Sequence, residues 1–171
     1  MGRLMDRLIA RPLEISEWQL FRDFRLGALK DAPGAFAMSY ADAAKRTQEA
    51  WQSIVSGPTN QVFGLLNGEH LIGIVGAFAA QDDPLGQTAT LVMSYILPTF
   101  RGRGFSRLLY AAALAWIRAH QCFSRVTVAV RADNAASQRA CEDHGFTPLR
   151  RVPRTWPDGV TEDEITYQLR L

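Results

Sequence analysis

A chain of 171 residues, 47% hydrophobic and 21% charged, has the size and composition of one ordinary globular domain, not of a disordered or fibrous segment. A formal net charge of +2 with no basic stripe interleaved with aromatics argues against nucleic acid as a partner. No apolar run reaches the ~20 residues of a membrane span, the start MGRLMDRLIARP has no secretory apolar core, and Asp6 stands where a myristoylation signal wants Ser or Thr, so no membrane contact and a cytoplasmic location are expected.

The first expected strand is Leu8 to Leu13, followed by a helix from Ser16, its N-cap, to about Lys30. Pro33-Gly34 breaks the chain, and Ser39 to Ser56 reads as one helix stopped by Gly57-Pro58. Gln61 to Leu66 and Leu71 to Ala80 are apolar runs joined by Asn67-Gly68, a hairpin signal. After a turn at Asp82 to Gln87 comes Thr88 to Leu97, a nearly continuous apolar strand that belongs in the middle of a sheet. A helix begins near Phe105, with Phe105, Leu108, Leu109, Ala112, Trp116 and Ala119 as its buried face. Arg125 to Val130 alternates like a strand, Asn134 opens another helix, and Pro148 to Pro153 and Glu164 to Leu171 read as strands around a polar stretch. This order argues for a single α+β domain, a mixed sheet with helices on both faces. Cys122 and Cys141 form no disulfide framework, and with the scattered His70, His120 and His144 they give no metal-ligand spacing, so no metal is expected.

Between the apolar strand and the long helix lies Pro98-Thr99-Phe100-Arg101-Gly102-Arg103-Gly104-Phe105-Ser106. Glycines at 102 and 104 let the backbone turn sharply, and the unpaired N–H groups at the helix start favour an anion, with Arg101 and Arg103 able to add charge-assisted hydrogen bonds. A pyrophosphate suits such a cradle. The bland alternative is a tight strand-to-helix connection. Neither a dinucleotide fingerprint, which needs a third glycine at position 107, nor a nucleotide P-loop, which needs Lys followed by Ser or Thr, is present.

The loop, in the order apolar strand, Arg101-Gly102-Arg103-Gly104 and apolar helix, resembles the acetyl-coenzyme A pyrophosphate loop of the GNAT superfamily of N-acetyltransferases. NAASQRACEDHGF (Asn134 to Phe146) is similar to that family's following helix, and RLGALKDAPGAF (Arg25 to Phe36) to its first-helix exit. The resemblance runs from about Leu8 to the C-terminus and implies one domain over residues 1–171. Its fold would be a mostly antiparallel twisted sheet of about seven strands with a splayed central pair.

It further implies an enzyme, an N-acetyltransferase that moves an acetyl group from acetyl-coenzyme A to a primary amine of a small molecule or peptide by direct attack, with a homodimer possible. Cofactor contacts would come from the backbone of Tyr95, Ile96 and Leu97, from Arg101 to Ser106, and from Asn134 and Ser137. Cys141 falls where the family usually carries a tyrosine that protonates the departing thiolate, and it is open to three readings: substitute acid, core residue or nucleophile. Tyr95 is a second candidate acid. No glutamate base is found on the strand, so a water held by Ser94 is the candidate proton acceptor. Ala32 to Tyr40 and Trp156 to Glu164 are expected as mobile walls of the amine pocket, with Asp158, Glu162 and Asp163 available to a cationic acceptor and Arg150, Arg151 and Arg154 opposing them. The missing base and Cys141 also allow a non-catalytic acyl-coenzyme A binding module.

Overall fold

The computed structural model describes residues 8–171; residues 1–7, with Asp6 and most of the start read for a leader, lie outside the described residues. In chain order the elements are β1 (Leu8–Pro12), α1 (Trp18–Asp31), α2 (Tyr40–Ala44), α3 (Gln48–Val55), β2 (Ser56–Gly57), β3 (Asn60–Asn67), β4 (His70–Ala79) and β5 (Thr88–Ile96). They continue with α4 (Ser106–Ala119), β6 (Arg125–Arg131), α5 (Ala135–Asp143), β7 (Thr147–Thr155) and β8 (Thr161–Arg170). The strands form one eight-stranded sheet in the order β1-β3-β4-β5-β6-β8-β7, with β2 attached to β3. Every pairing is antiparallel except β5 with β6.

Both faces of the central strands are covered, which is why β3 and β4 read as continuous apolar runs rather than alternating ones. Phe63, Leu65, Ile72 and Val75 face α4, while Val62, Leu71 and Ile74 face α1 and α3. The β3–β4 hairpin closes at Asn67↔His70, with Gly68 at φ 62° supplying the left-handed residue of the turn.

Several expectations are corrected. The helix read from Ser39 to Ser56 is two, because Thr47 caps α3 from inside it: its hydroxyl accepts from the Ala50 N–H at 3.2 Å, as Ser39 accepts from Asp42 at 3.1 Å for α2. Ser16 is not a cap. Ile15–Glu17 is a 3₁₀ turn fixed by Glu14 and Glu17, and α1 starts at Trp18. The last two strands run longer than expected, leaving only a short turn about Trp156 to Val160; Pro148 and Pro153 are accommodated because β7 is the sheet edge. The buried face of α4 is Leu109, Tyr110, Ala113, Leu114 and Ile117, rotated from the stripe expected, with Leu108 41% exposed.

Two irregularities in β5 shape the molecule. Its pairing with β6 covers only Thr88–Leu91 against Arg125–Val128, although both strands continue, so the pair splays open beyond Leu91. On the other side, Gly76 pairs with Val92 and Ile74 with Tyr95, so Met93 and Ser94 together oppose one residue. Met93 takes φ 60°, a left-handed conformation that a side chain adopts only at a cost of about 1 kcal/mol or more. The opening of the sheet and the bulge coincide.

Candidate functional site

The splay opens into a cleft of about 470 Å³, walled by the end of β5, the loop to α4, the start of α4, and one side of α5 along its length from Asn134 to His144. In the loop Gly102 has φ 73° and Gly104 φ 74°, conformations that only glycine adopts freely, and a Cβ at either would point into open space. Among the described residues no backbone carbonyl accepts from the N–H groups of Gly102, Arg103, Gly104, Phe105 or Ser106, whereas Arg107 and Leu108 already bond back to Gly104 and Phe105. A run of free donors at a helix start is a nest for an anion.

Along the cleft the open edge of β5 offers backbone. The Leu97 N–H donates to the Ile72 carbonyl at 2.9 Å, so by strand alternation Ile96 turns its N–H and carbonyl to the open side. Arg101 Nε donates to that Ile96 carbonyl at 2.8 Å, and its guanidinium lies 5.0 Å from the Tyr95 ring centroid. Arg101 thus clamps the loop to the strand end. Opposite, Asn134 caps α5, its carbonyl oxygen accepting from the Ser137 N–H at 3.1 Å.

Of the residues expected to hold the cofactor, Tyr95, Ile96, Arg101, Gly102, Gly104, Phe105, Ser106, Asn134 and Ser137 line this one cleft. Leu97 and Arg103 do not: Leu97 faces β4 through its N–H, and the Arg103 guanidinium lies over Phe100, 6.0 Å from the ring centroid. Arg107 and Arg139 line it instead and were not anticipated.

The expected catalytic residues fare unevenly. Tyr95 is buried toward α1, where its hydroxyl donates to Asp31 at 2.5 Å; burial first, and then Asp31, push its pKa up to about 12. Its hydroxyl is therefore committed to holding the end of α1. Cys141 has no accessible surface and belongs to the core packed against α4; burial pushes its thiol up to about 11, which disfavours the thiolate a nucleophile needs. Ser94, exposed at the bulge, does face the cleft.

The residue that joins them is Tyr110, which no sequence reading singled out. Its ring lies 4.5 Å from that of His144, both lining the cleft, and Ser94 and the Cys141 thiol lie near enough to its hydroxyl to shift its titration. Burial above all raises its pKa, so the phenol stays protonated. A small residue at 141 leaves room for this phenol, brought in from α4.

On the far side of the bulge lies a second cavity, of about 600 Å³, sharing Ala35 and Phe36 with the cleft and bounded by Met93, Met38, Ile54, Phe78 and Trp156. Its rim is tied by Arg131, whose Nη1 donates to the Gly34 carbonyl at 2.9 Å and to Asp158 at 2.6 Å, linking the segment after α1 to the β7–β8 turn. Of the carboxylates read as available to a cationic acceptor, Asp158 is paired with Arg131 and Asp163 with Arg151, while among the described residues Glu162 has no ion-pair partner; the neighbouring Glu164 is paired with Arg154. A larger hollow of about 820 Å³, floored by Thr90, Thr127 and Thr166, adjoins the second cavity at Thr90, Ala129 and Glu164 and lies away from the loop and Tyr110.

A family model described as the acetyltransferase (GNAT) family matches residues 20–146. No curated protein matches the chain. Among solved structures it is similar to the GNAT-family acetyltransferase from Streptococcus pneumoniae, at 18% identity and TM-score 0.81 over 96% of this chain and 100% of that one. It is similar also to yncA, a putative acetyltransferase from Salmonella typhimurium with its cofactor acetyl-CoA, at 18% identity and TM-score 0.75 over 97% of this chain and 95% of that one. Arabidopsis thaliana NAA60, in complex with a bisubstrate analogue, gives 17% identity and TM-score 0.73 over 96% of this chain and 98% of that one. At such identities the likeness is one of fold, and it bears out the mixed sheet expected.

Proposed function

The chain belongs to the acetyltransferase (GNAT) family, and we propose that it transfers the acetyl group of acetyl-coenzyme A to a primary amine by direct attack in a ternary complex. The observation that carries this is the run of free N–H donors from Gly102 to Ser106, set at the end of a strand whose other edge is open. The donors suit a pyrophosphate and the open edge of β5 suits an amide-bearing arm beside it, with the Ile96 N–H available to the thioester oxygen as negative charge develops.

The amine nitrogen, entering from the second cavity, forms the new bond to the acetyl carbon and gives up its proton to water held at Ser94. The carbon–sulfur bond breaks and the electron pair leaves on sulfur. Tyr110 stands where it can donate a hydrogen bond to that sulfur. Its raised pKa makes hydrogen-bond donation, not net proton transfer, its contribution, because a thiol of pKa about 8.5 is much the stronger acid. Cys141 then serves to leave Tyr110 its place.

The test is release of free thiol from acetyl-coenzyme A on adding a panel of amines, peptides and amino acids. We expect release only with an acceptor present, intersecting initial-rate plots, and no acetyl mass on protein mixed with acetyl-coenzyme A alone. Tight coenzyme A binding with no release for any amine would make the chain a non-catalytic binding module.

The rim gives a separate expectation. A Cβ at Gly34 would come within 2.3 Å of Asp158 Oδ2 and 2.7 Å of Arg131 Nη1, so Gly34→Ala must displace both side-chain ends of that ion pair from the rim. Acceptor KM should rise several-fold while coenzyme A affinity holds, as read by initial rates and calorimetry. An unchanged acceptor KM would remove the rim from acceptor binding.

A further inference from the structure

The second cavity contains a charge the fold does not neutralise. The buried stripe of α1 is Phe21, Arg25, Ala28 and Leu29, which puts an arginine at a core position. Arg25 is 4% exposed, and its Nε and Nη1 have no hydrogen-bond partner. Its guanidinium packs 4.3 Å from the Phe36 ring centroid. Arg46, in the link between α2 and α3, lines the same cavity, and among the described residues neither arginine has a carboxylate within ion-pair distance. The remaining charged pair in the wall, Arg154 with Glu164, is balanced.

Arginine is almost never buried without a partner, because losing its hydration is costly unless a counter-charge and hydrogen bonds replace it. Burial, and then the neighbouring Arg46, lower the Arg25 pKa to about 10, which still leaves it charged near neutrality. The missing partner is therefore an anion that enters the cavity. Two planar guanidinium forks suit a carboxylate, and Phe36, Met38, Ile54, Phe78 and Trp156 suit an apolar side chain beside it. The cavity meets the cleft at Ala35, Phe36 and the bulge, so the same small molecule must present its amine there. We propose that Arg25 and Arg46 bind the carboxylate of the acceptor, and that the amine acetylated belongs to an α-amino acid with an apolar side chain. This rests on the acetyl-transfer reading above.

The experiment compares leucine, leucinamide and a short peptide beginning with Asp, by thiol release, in the wild-type chain and in Arg25→Met. Leucine should exceed leucinamide by on the order of 100-fold in kcat/KM, since loss of one partner from a buried charged contact has an effect of that size. Arg25→Met should bring the ratio near one, and it should also raise the melting temperature, because it removes a buried unpaired charge without emptying its volume. A ratio near one in the wild type, a ratio intact in Arg25→Met, or a melting temperature several degrees lower in that variant would overturn the proposal. Preference for the acidic peptide over leucine would also overturn it, by placing the carboxylate on a side chain. Calorimetry of leucine with the coenzyme A complex separates this site from the chemistry. Leucine that binds the wild type and not Arg25→Met, in a protein that turns over no amine, upholds the carboxylate site while acetyl transfer fails; leucine that binds neither overturns the site whatever the turnover.

Discussion

Gly104→Val is expected to abolish coenzyme A binding, raising Kd by at least on the order of 100-fold, which is about 2.7 kcal/mol, in a chain that still folds. The argument has two parts. At φ 74° valine is strained by about 1–2 kcal/mol, so the loop relaxes and the donor run from Gly102 to Ser106 loses its common aim. A Cβ at 104 meets nothing within 4 Å in the free protein, so its bulk projects into the open space that the donors face. Gly68→Val is the matching control, since Gly68 has φ 62° and an equally open Cβ position but sits in the β3–β4 hairpin. Both variants should lose comparable melting temperature, and only Gly104→Val should lose coenzyme A by calorimetry. Wild-type affinity in a folded Gly104→Val would mean that the cradle lies elsewhere.

The loop was legible because its chemistry is local: two left-handed residues and a helix start are decided within a few positions of chain. The hairpin at Gly68 was legible for the same reason. What escaped were features decided across the fold. Tyr95 and Asp31 are far apart in sequence, and nothing near either announces their hydrogen bond. The buried face of α4 was misjudged because two stripes share the helical period, and an aromatic hydroxyl at 110 scores poorly beside Leu108 as a core residue. The internal start of α3 did have a signal, Thr47 three residues before Ala50, overlooked because the apolar periodicity continues across it. Arg25 also had one, a charge in the middle of the stripe Phe21, Ala28, Leu29, but its meaning depends on whether a carboxylate meets it, which only the packed structure decides.

Tyr110→Phe is the decisive change for the chemical step. It removes one hydroxyl from a ring that otherwise packs unchanged against His144 and Phe146, so stability should move little. Turnover should fall about 10- to 100-fold, toward the low end for a lost acid–base group, because a thiolate of pKa about 8.5 is a tolerable leaving group unaided. The loss should fall on kcat with KM for acetyl-coenzyme A unchanged, since a hydrogen bond to sulfur strengthens only as charge develops there. The wild type should show no alkaline limb due to Tyr110, its phenol being held protonated through the working range by burial. Cys141 gives the complementary test. Cys141→Ser keeps the small volume and should retain most activity, whereas Cys141→Tyr forces a second ring into a site with no accessible surface and should destabilise the chain by about 1–3 kcal/mol or more. Full activity in Tyr110→Phe combined with loss in Cys141→Ser would return the sulfur contact to Cys141. If both variants keep wild-type kcat, the leaving thiolate needs no side chain, and water in the cleft suffices.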